Sequence, residues 1–283
     1  SANSINIGRL LPQVAYFVSA YRALRASGRL ASGERLDVVV PTGNFGDILA
    51  AYYAKRMGLP LGRLVVASNR NRVLSDFFAT GRYDRNREFF RTTSPSMDIL
   101  VSSNLERLVF EATGRDAARV AALAAGLAGN GAYELSPAER AGLGDFAAES
   151  ADEAEAAAEI GRTFREDGYL LDPHAAVAAA VERKLRARGE LGKAALILAT
   201  ASPFKFPTTV ARAIGLEPPG PEAASVPGWG SELETAAALA ERAGLALPAA
   251  VAGLRGAEIR HREIVAPSGM EGALRRFVEG GRP

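Results

Sequence analysis

The stretch Asp37-Val-Val-Val-Pro-Thr-Gly-Asn-Phe-Gly-Asp47 constrains the fold more than any other part of the chain. A β-branched run ends in a glycine-bearing loop, and the loop opens directly into an apolar-periodic segment from Ile48 to Met57. Strand, tight turn and helix start, in that order, gather backbone N–H groups at the positive end of a helix dipole. Such a place suits an anion, phosphate above all. Gly43 and Gly46 are expected to supply the turn dihedrals and to let the backbone approach a ligand with no Cβ in the way. Thr42 and Asn44 add side-chain hydrogen-bonding groups. The loop matches neither Gly-x-Gly-x-x-Gly nor Gly-x-x-x-x-Gly-Lys-Ser/Thr, so neither a dinucleotide nor a nucleoside triphosphate is the first expectation. An ordinary strand-to-helix turn would use the same glycines, and the loop alone leaves both readings open.

Around this unit the chain alternates strands and helices. A helical pattern through about Leu24 places Leu10, Val14, Phe17, Val18 and Tyr21 on one face. Strands are expected at Leu36–Val40 and Arg63–Ala67, completing a βαβ unit, and a further one at Ala194–Thr200. A short helix and loops are read over Val73–Phe90. Helices follow to Ala112, capped by Ser103 or Asn104, and from Ala117 to about Leu127. Ser136-Pro-Ala-Glu139 and Ser150-Ala-Asp-Glu153 read as capping boxes. Asp172 caps a helix with Pro173 in its first turn, and Gly189 ends it. Glu217–Gly230 is a proline-rich loop, Ser231 caps a helix to Ala243, residues 257–265 read as a strand, and Ser268 caps a last helix ending near Val278. This alternation predicts an α/β fold, an open and mainly parallel sheet with helices on both faces.

Composition removes several classes of function. With 283 residues, 48% hydrophobic and 23% charged, the chain has the makeup of an ordinary globular protein with a proper core. It has no cysteine and only His174 and His261, which argues against a metal site. No apolar run approaches the ~20 residues of a membrane span, and no cleavable signal opens the chain; a cytoplasmic location is the default expectation. A net charge of +2, with arginines spread throughout and no basic run interleaved with aromatics, argues against nucleic-acid binding. Oligomeric state is not legible.

In open α/β sheets ligands sit beyond the carboxyl ends of the strands. Two strand ends carry polar turns, Pro41–Asp47 and Thr200–Lys205. If both face one crevice, the first cradles a phosphate and Thr200 or Ser202 offers a hydroxyl, although local backbone could equally take that hydroxyl. Asn3, Ser4 and Arg9 form a second candidate anion site, a guanidinium over a helix entry; Ser4 as a plain cap and Arg9 as a solvated charge would look the same. His174 behind its Asp-Pro pair reads as a base or as a helix-entry histidine satisfying a backbone carbonyl. The acidic run Asp152–Glu159 reads as a solvated helix face.

Taken together, Ser1-Ala-Asn-Ser-Ile-Asn-Ile-Gly-Arg-Leu10, Pro41-Thr-Gly-Asn-Phe-Gly-Asp-Ile48, Met57-Gly-Leu-Pro60, Ala67-Ser-Asn69, Ser94-Pro-Ser-Met-Asp-Ile-Leu-Val-Ser-Ser-Asn-Leu-Glu-Arg107, Asp172-Pro-His174 and Thr200-Ala-Ser-Pro-Phe-Lys-Phe206 resemble threonine synthase. That family is pyridoxal 5'-phosphate (PLP) dependent and has a tryptophan-synthase-β-type fold. The resemblance implies that Gly43, Asn44, Phe45, Gly46 and Asp47 hold the PLP phosphate through backbone N–H groups and that Thr200 hydrogen-bonds the pyridine nitrogen. It implies that Asn3, Ser4 and Arg9 bind the phosphate of O-phosphohomoserine. Residues 1–10 would be the substrate-phosphate segment and helix entry, and 11–283 the PLP-binding α/β domain, incomplete at its N-terminus. The implied reaction is γ-elimination of phosphate, then water addition at Cβ, giving threonine.

None of the four lysines, Lys55, Lys184, Lys193 and Lys205, has the sequence context of the family's Schiff-base lysine. Lys205 follows a strand end near the proposed site, yet the resemblance argues against it. The expectation is therefore of the C-terminal portion of a longer synthase, with no catalytic lysine of its own and no turnover alone. Alternatives are another PLP-dependent elimination enzyme, such as a serine/threonine dehydratase, and a non-catalytic homologue acting as a binding module.

Overall fold

The computed structural model describes residues 5–220, 231–258 and 263–280. Helix α1 (Ile7–Ala26) leads into β1 (Leu36–Pro41), α2 (Gly46–Arg56) and β2 (Leu61–Ser68). Then come α3 (Val73–Thr80), β3 (Arg82–Asp84), α4 (Leu105–Ala112), α5 (Ala117–Asn130), β4 (Ala132–Glu134), α6 (Pro137–Ala141) and β5 (Phe146–Ser150). The remainder is α7 (Glu153–Asp167), α8 (Pro173–Ala187), β6 (Ala195–Ile197), α9 (Pro207–Ala213), α10 (Glu232–Ala243), α11 (Ala249–Ala252) and α12 (Met270–Val278). No helix among the described residues is long and apolar enough to cross a membrane.

Strands β5, β2, β1 and β6 form a parallel sheet in that order. Every residue of β1 is buried, as a strand covered on both faces requires. Side chains alternate across the sheet, so Val38 and Val40 join one core with α1, α2, α3 and α4. Val39 faces a second core with Val65, α7, α8 and α10. The expected α/β class, with helices on both faces, is what forms.

Several local expectations need correction. Strand β5 was not expected, because Ala and Glu give it little strand propensity; pairing with β2 from Leu64↔Phe146 to Ser68↔Ser150 makes it one. Ser150 therefore ends a strand, and the capping box of α7 is Asp152 with Glu155. The antiparallel ribbon β3–β4 has three residues a side, too few for periodicity to show; the rings of Tyr83 and Tyr133 stack in it at 5.4 Å. Glu159 is not part of a solvated face. It is 6% exposed and receives Arg162 and Arg183. Val18 is exposed, on the rim of the face that buries Leu10 and Phe17. Helix α12 is preceded by a short 3₁₀ turn and has Gly269, not Ser268, at its N-cap. The strand expected over 257–265 falls partly outside the described residues, and its described ends lie in no strand.

At the amino end of the sheet, Asp37 on β1 is 4% exposed and acts as a clamp. Its carboxylate accepts the Arg63 N–H and the Gly192 N–H, each at 2.6 Å, tying the starts of β1 and β2 to the approach to β6. A Cβ on Gly62 would lie 2.0 Å from Asp37 Oδ1, so a side chain there would push the clamping carboxylate aside. Asp37→Ala should orphan both N–H groups and lower unfolding free energy by about 2–4 kcal/mol in urea titrations.

Candidate active site

Beyond Pro41 the chain leaves β1 at the carboxyl end of the sheet. Thr42 continues the strand bonding, its N–H donating to Ala67 O at 2.8 Å, and its hydroxyl donates to Val40 O at 2.6 Å. That hydroxyl proton is used locally. The turn then forms around Phe45, not around the glycines. Phe45 takes φ 63° and ψ 11°, the left-handed conformation, as N-cap of α2. Such a backbone costs an L-residue about 1–2 kcal/mol, offset here by burial and by ring contacts with Phe78 and Phe146, both at 5.9 Å.

The role expected of Gly43 also changes. It has no positive φ, but a Cβ there would stand 2.6 Å from Ser96 O. Glycine is needed for close approach of two backbones.

The loop carbonyls are held from behind. Gly43 O accepts the Ser102 hydroxyl at 2.8 Å, and Asn44 O accepts the Asn104 N–H at 3.1 Å and its Nδ2 at 2.9 Å. Asn104 is the N-cap of α4 by position, yet its side chain makes no capping bond there. Ser102 is itself placed by Tyr83, whose hydroxyl donates to Leu100 O at 3.1 Å and accepts the Ser102 N–H at 2.9 Å. Burial pushes the Tyr83 hydroxyl up to about 12, so it stays protonated as a donor. The loop from Thr92 to Asp98 is fixed by Asp98, whose carboxylate accepts Thr92 Oγ1 at 2.7 Å and Asn69 Nδ2 at 2.8 Å.

Engaging Gly43 O and Asn44 O turns the N–H groups of the same two peptides, those of Asn44 and Phe45, away from Ser102 and Asn104. Phe45 O takes the Leu49 N–H, and no side chain caps α2. The N–H groups of Gly46, Asp47 and Ile48 have no intrahelical acceptor, as at any helix start. This end opens into a cavity of about 170 Å³. Arg9, Thr200 and Lys205 border it together with the Gly43–Asp47 loop. The two polar strand ends do meet in one crevice. Burial pushes the Asp47 carboxyl above its ordinary range, and the neighbouring Arg9 guanidinium opposes that shift.

Asn3 and Ser4 lie outside the described residues. Arg9 sits in the first turns of α1, whose N-cap is Asn6, its side chain accepting the Gly8 N–H at 2.9 Å. Ser202 is engaged elsewhere, capping the 3₁₀ turn before α9 by accepting the Phe204 N–H at 3.3 Å.

Sequence reasoning missed Gln13, which lies one helical turn after Arg9 and borders the same cavity. Its Oε1 is buried with no hydrogen-bond partner among the described residues, and a buried polar atom in that state marks a place where a partner is owed. The i, i+4 relation to Arg9 was the available signal. Ser96 and His174 border the cavity as well. His174 does not bond a backbone carbonyl: it pairs with Asp172 and accepts a backbone N–H.

Comparison with known proteins gives a consistent result. Residues 175–268 match the family model described as threonine synthase, C-terminal. Human threonine synthase-like 1 is 43% identical over 219 residues, covering 77% of this chain and 29% of that protein. The PLP-bound threonine synthase from Brucella melitensis superposes with TM-score 0.70 at 44% identity, covering 81% of this chain and 46% of that one. Yeast threonine synthase gives TM-score 0.79 at 28% identity, covering 98% of this chain and 53% of that one. The chain thus resembles threonine synthases in sequence and in fold, and spans about half or less of the length of the relatives it matches.

Gly43→Ala tests the loop directly. Displacing Ser96 should cost about 1–3 kcal/mol of stability and should weaken binding of inorganic phosphate, followed by ³¹P NMR titration, by at least ~tenfold as the amides lose their alignment.

Proposed function

We propose that this chain is the C-terminal portion of a PLP-dependent threonine synthase, an enzyme converting O-phosphohomoserine and water to threonine and phosphate. One observation carries the reading: Arg9, Thr200 and the uncapped amino end of α2 border a single cavity at the carboxyl ends of parallel strands. The donor set suits such a cofactor. It offers amide donors at a helix start for one phosphate, a hydroxyl for the heterocycle, and a guanidinium for a second phosphate.

In this reading residues 11–283 are the cofactor-binding domain and residues 1–10 carry the substrate-phosphate ligands. The backbone N–H groups of Gly43, Asn44, Phe45, Gly46 and Asp47 hold the cofactor phosphate. Thr200, which borders the cavity, would present a neutral hydroxyl to the pyridine nitrogen, a partner that favours its unprotonated form. Arg9, with Asn3 and Ser4, receives the substrate phosphate and holds it as it departs. Bound PLP supplies the electron sink for proton loss next to the amino group. The protein's share is orientation, and Arg9 offsets the charge of the leaving phosphate.

The covalent bond to the cofactor is left to a lysine outside these 283 residues. Lys55 is paired with Asp145 at 2.7 Å and Lys184 with Glu155 at 2.5 Å, each in an ion pair. Lys205 borders the cavity, so it is the residue to test. The chain should bind PLP reversibly, and borohydride reduction followed by mass spectrometry should leave no adduct. A stoichiometric adduct on Lys205 refutes the lysine assignment, and absence of any PLP binding refutes the cofactor reading. No threonine or phosphate should be released from O-phosphohomoserine by this chain alone. Arg9→Ala should weaken O-phosphohomoserine binding to the PLP-loaded chain by at least ~tenfold while changing PLP affinity less than about twofold, measured by calorimetry; a dehydratase, with no second phosphate to hold, would not show that split.

A further inference from the structure

His174 borders the cavity and has no part in the assignments above. It is 1% exposed, at the amino end of α8. Its Nδ1 lies 3.0 Å from Asp172 Oδ1. The same carboxylate oxygen accepts the backbone N–H groups of His174 at 2.8 Å and Ala175 at 3.3 Å. A carboxylate so used is an acceptor, so the imidazole proton belongs on Nδ1 and Nε2 keeps its lone pair. That lone pair receives the Ser96 N–H at 3.2 Å.

Ser96 sits in the 3₁₀ turn Pro95–Met97. Within the turn Met97 N–H bonds Ser94 O and Asp98 N–H bonds Pro95 O, while the Ser96 N–H turns outward to the histidine. The other end of the same residue, Ser96 O, is the atom against which Gly43 packs. A continuous line of contacts runs from Asp172 through His174 and Ser96 to the first glycine of the anion-holding loop.

We propose that His174 is a positioning residue for this loop. As a neutral imidazole with its proton on Nδ1, it orients the Ser96 backbone and so fixes how closely Gly43 can approach and where the amides after it point. It tunes the grip on a phosphate group through Ser96, and its Nε2 lone pair is committed to that task instead of to proton transfer. This rests on the reading of Gly43–Asp47 as the cofactor-phosphate loop.

The distinguishing property is one acceptor atom at the Nε2 position. Glutamine can offer its Oε1 near that point, and leucine offers no acceptor. In PLP titrations of the full 283-residue chain, His174→Leu should weaken binding at least ~tenfold, and His174→Gln should stay within about threefold of the parent. A purely structural role would be read instead as equal losses in both variants that track their thermal midpoints, and that result overturns the inference. The ring itself gives a second readout that needs no change at residue 174. In His261→Gln, which leaves one histidine in the sequence, a long-range ¹H–¹⁵N spectrum should show Nδ1 protonated and Nε2 bare. A proton on Nε2 overturns the inference even if His174→Leu fails to fold. If the parent chain binds no PLP, the loop assignment fails and this inference with it; if it binds PLP and the two variants behave alike, the inference fails alone.

Discussion

The site depends on where two carbonyl oxygens are not. Gly43 O and Asn44 O are bonded from behind by Ser102 and Asn104, and a peptide whose carbonyl points one way presents its N–H the other way. Had those oxygens faced the cavity, their partial charge would oppose the positive end of α2 and repel any anion placed there. The ribbon β3–β4 and the loop 99–104 therefore support the loop without bordering the cavity. Tyr83 reaches from one to the other and fixes Ser102.

The same loop carries a backbone strain that could have been avoided. A glycine at residue 45 would take the left-handed conformation at little cost, whereas phenylalanine takes it and recovers the difference by packing. Its ring stacks within 14° of coplanar with that of Phe78, and Phe78 packs on Phe146 at 5.2 Å. Loop and core are thereby one unit: the turn cannot relax to an unstrained form without pulling an aromatic ring out of a packed cluster. That is a way of holding donors still before a ligand arrives, so that little ordering entropy is charged against binding.

The β1–α2–β2 unit, the parallel sheet with helices on both faces and the helix entry at Asp172 follow from local pattern, and the sequence shows them. Asp-Pro at a helix start, or a β-branched run before a glycine loop, has one economical structural meaning. What escaped reading is of two kinds. Strand β5 and the ribbon β3–β4 are short and compositionally neutral, and they exist because a neighbour distant in the chain offers hydrogen bonds. Glu159 escaped because its counter-charges, Arg162 and Arg183, come from two helices; a buried carboxylate is tolerable only when such partners converge. At the site, the meeting of Gly43–Asp47 with Thr200 was legible from strand-end logic, whereas Arg9, read as part of a separate anion site at a helix entry, joins them only in the folded chain. The roles of Phe45 and Gly43 were exchanged, because the sequence shows which residues can bend freely but not which backbone stands opposite.

Strand β6 closes the sheet order on one side, and its three residues pair with β1 through Asp37↔Ala195, Val38↔Leu196 and Val39↔Ile197. Its other flank offers main-chain hydrogen bonds with no strand among the described residues to take them. The strand ends three residues before Thr200, so any polypeptide that extends the sheet there is delivered to the rim of the cavity. Sheet growth and access to the pocket are thereby coupled, and a chance intermolecular strand at that flank would obstruct the pocket as surely as it would promote aggregation.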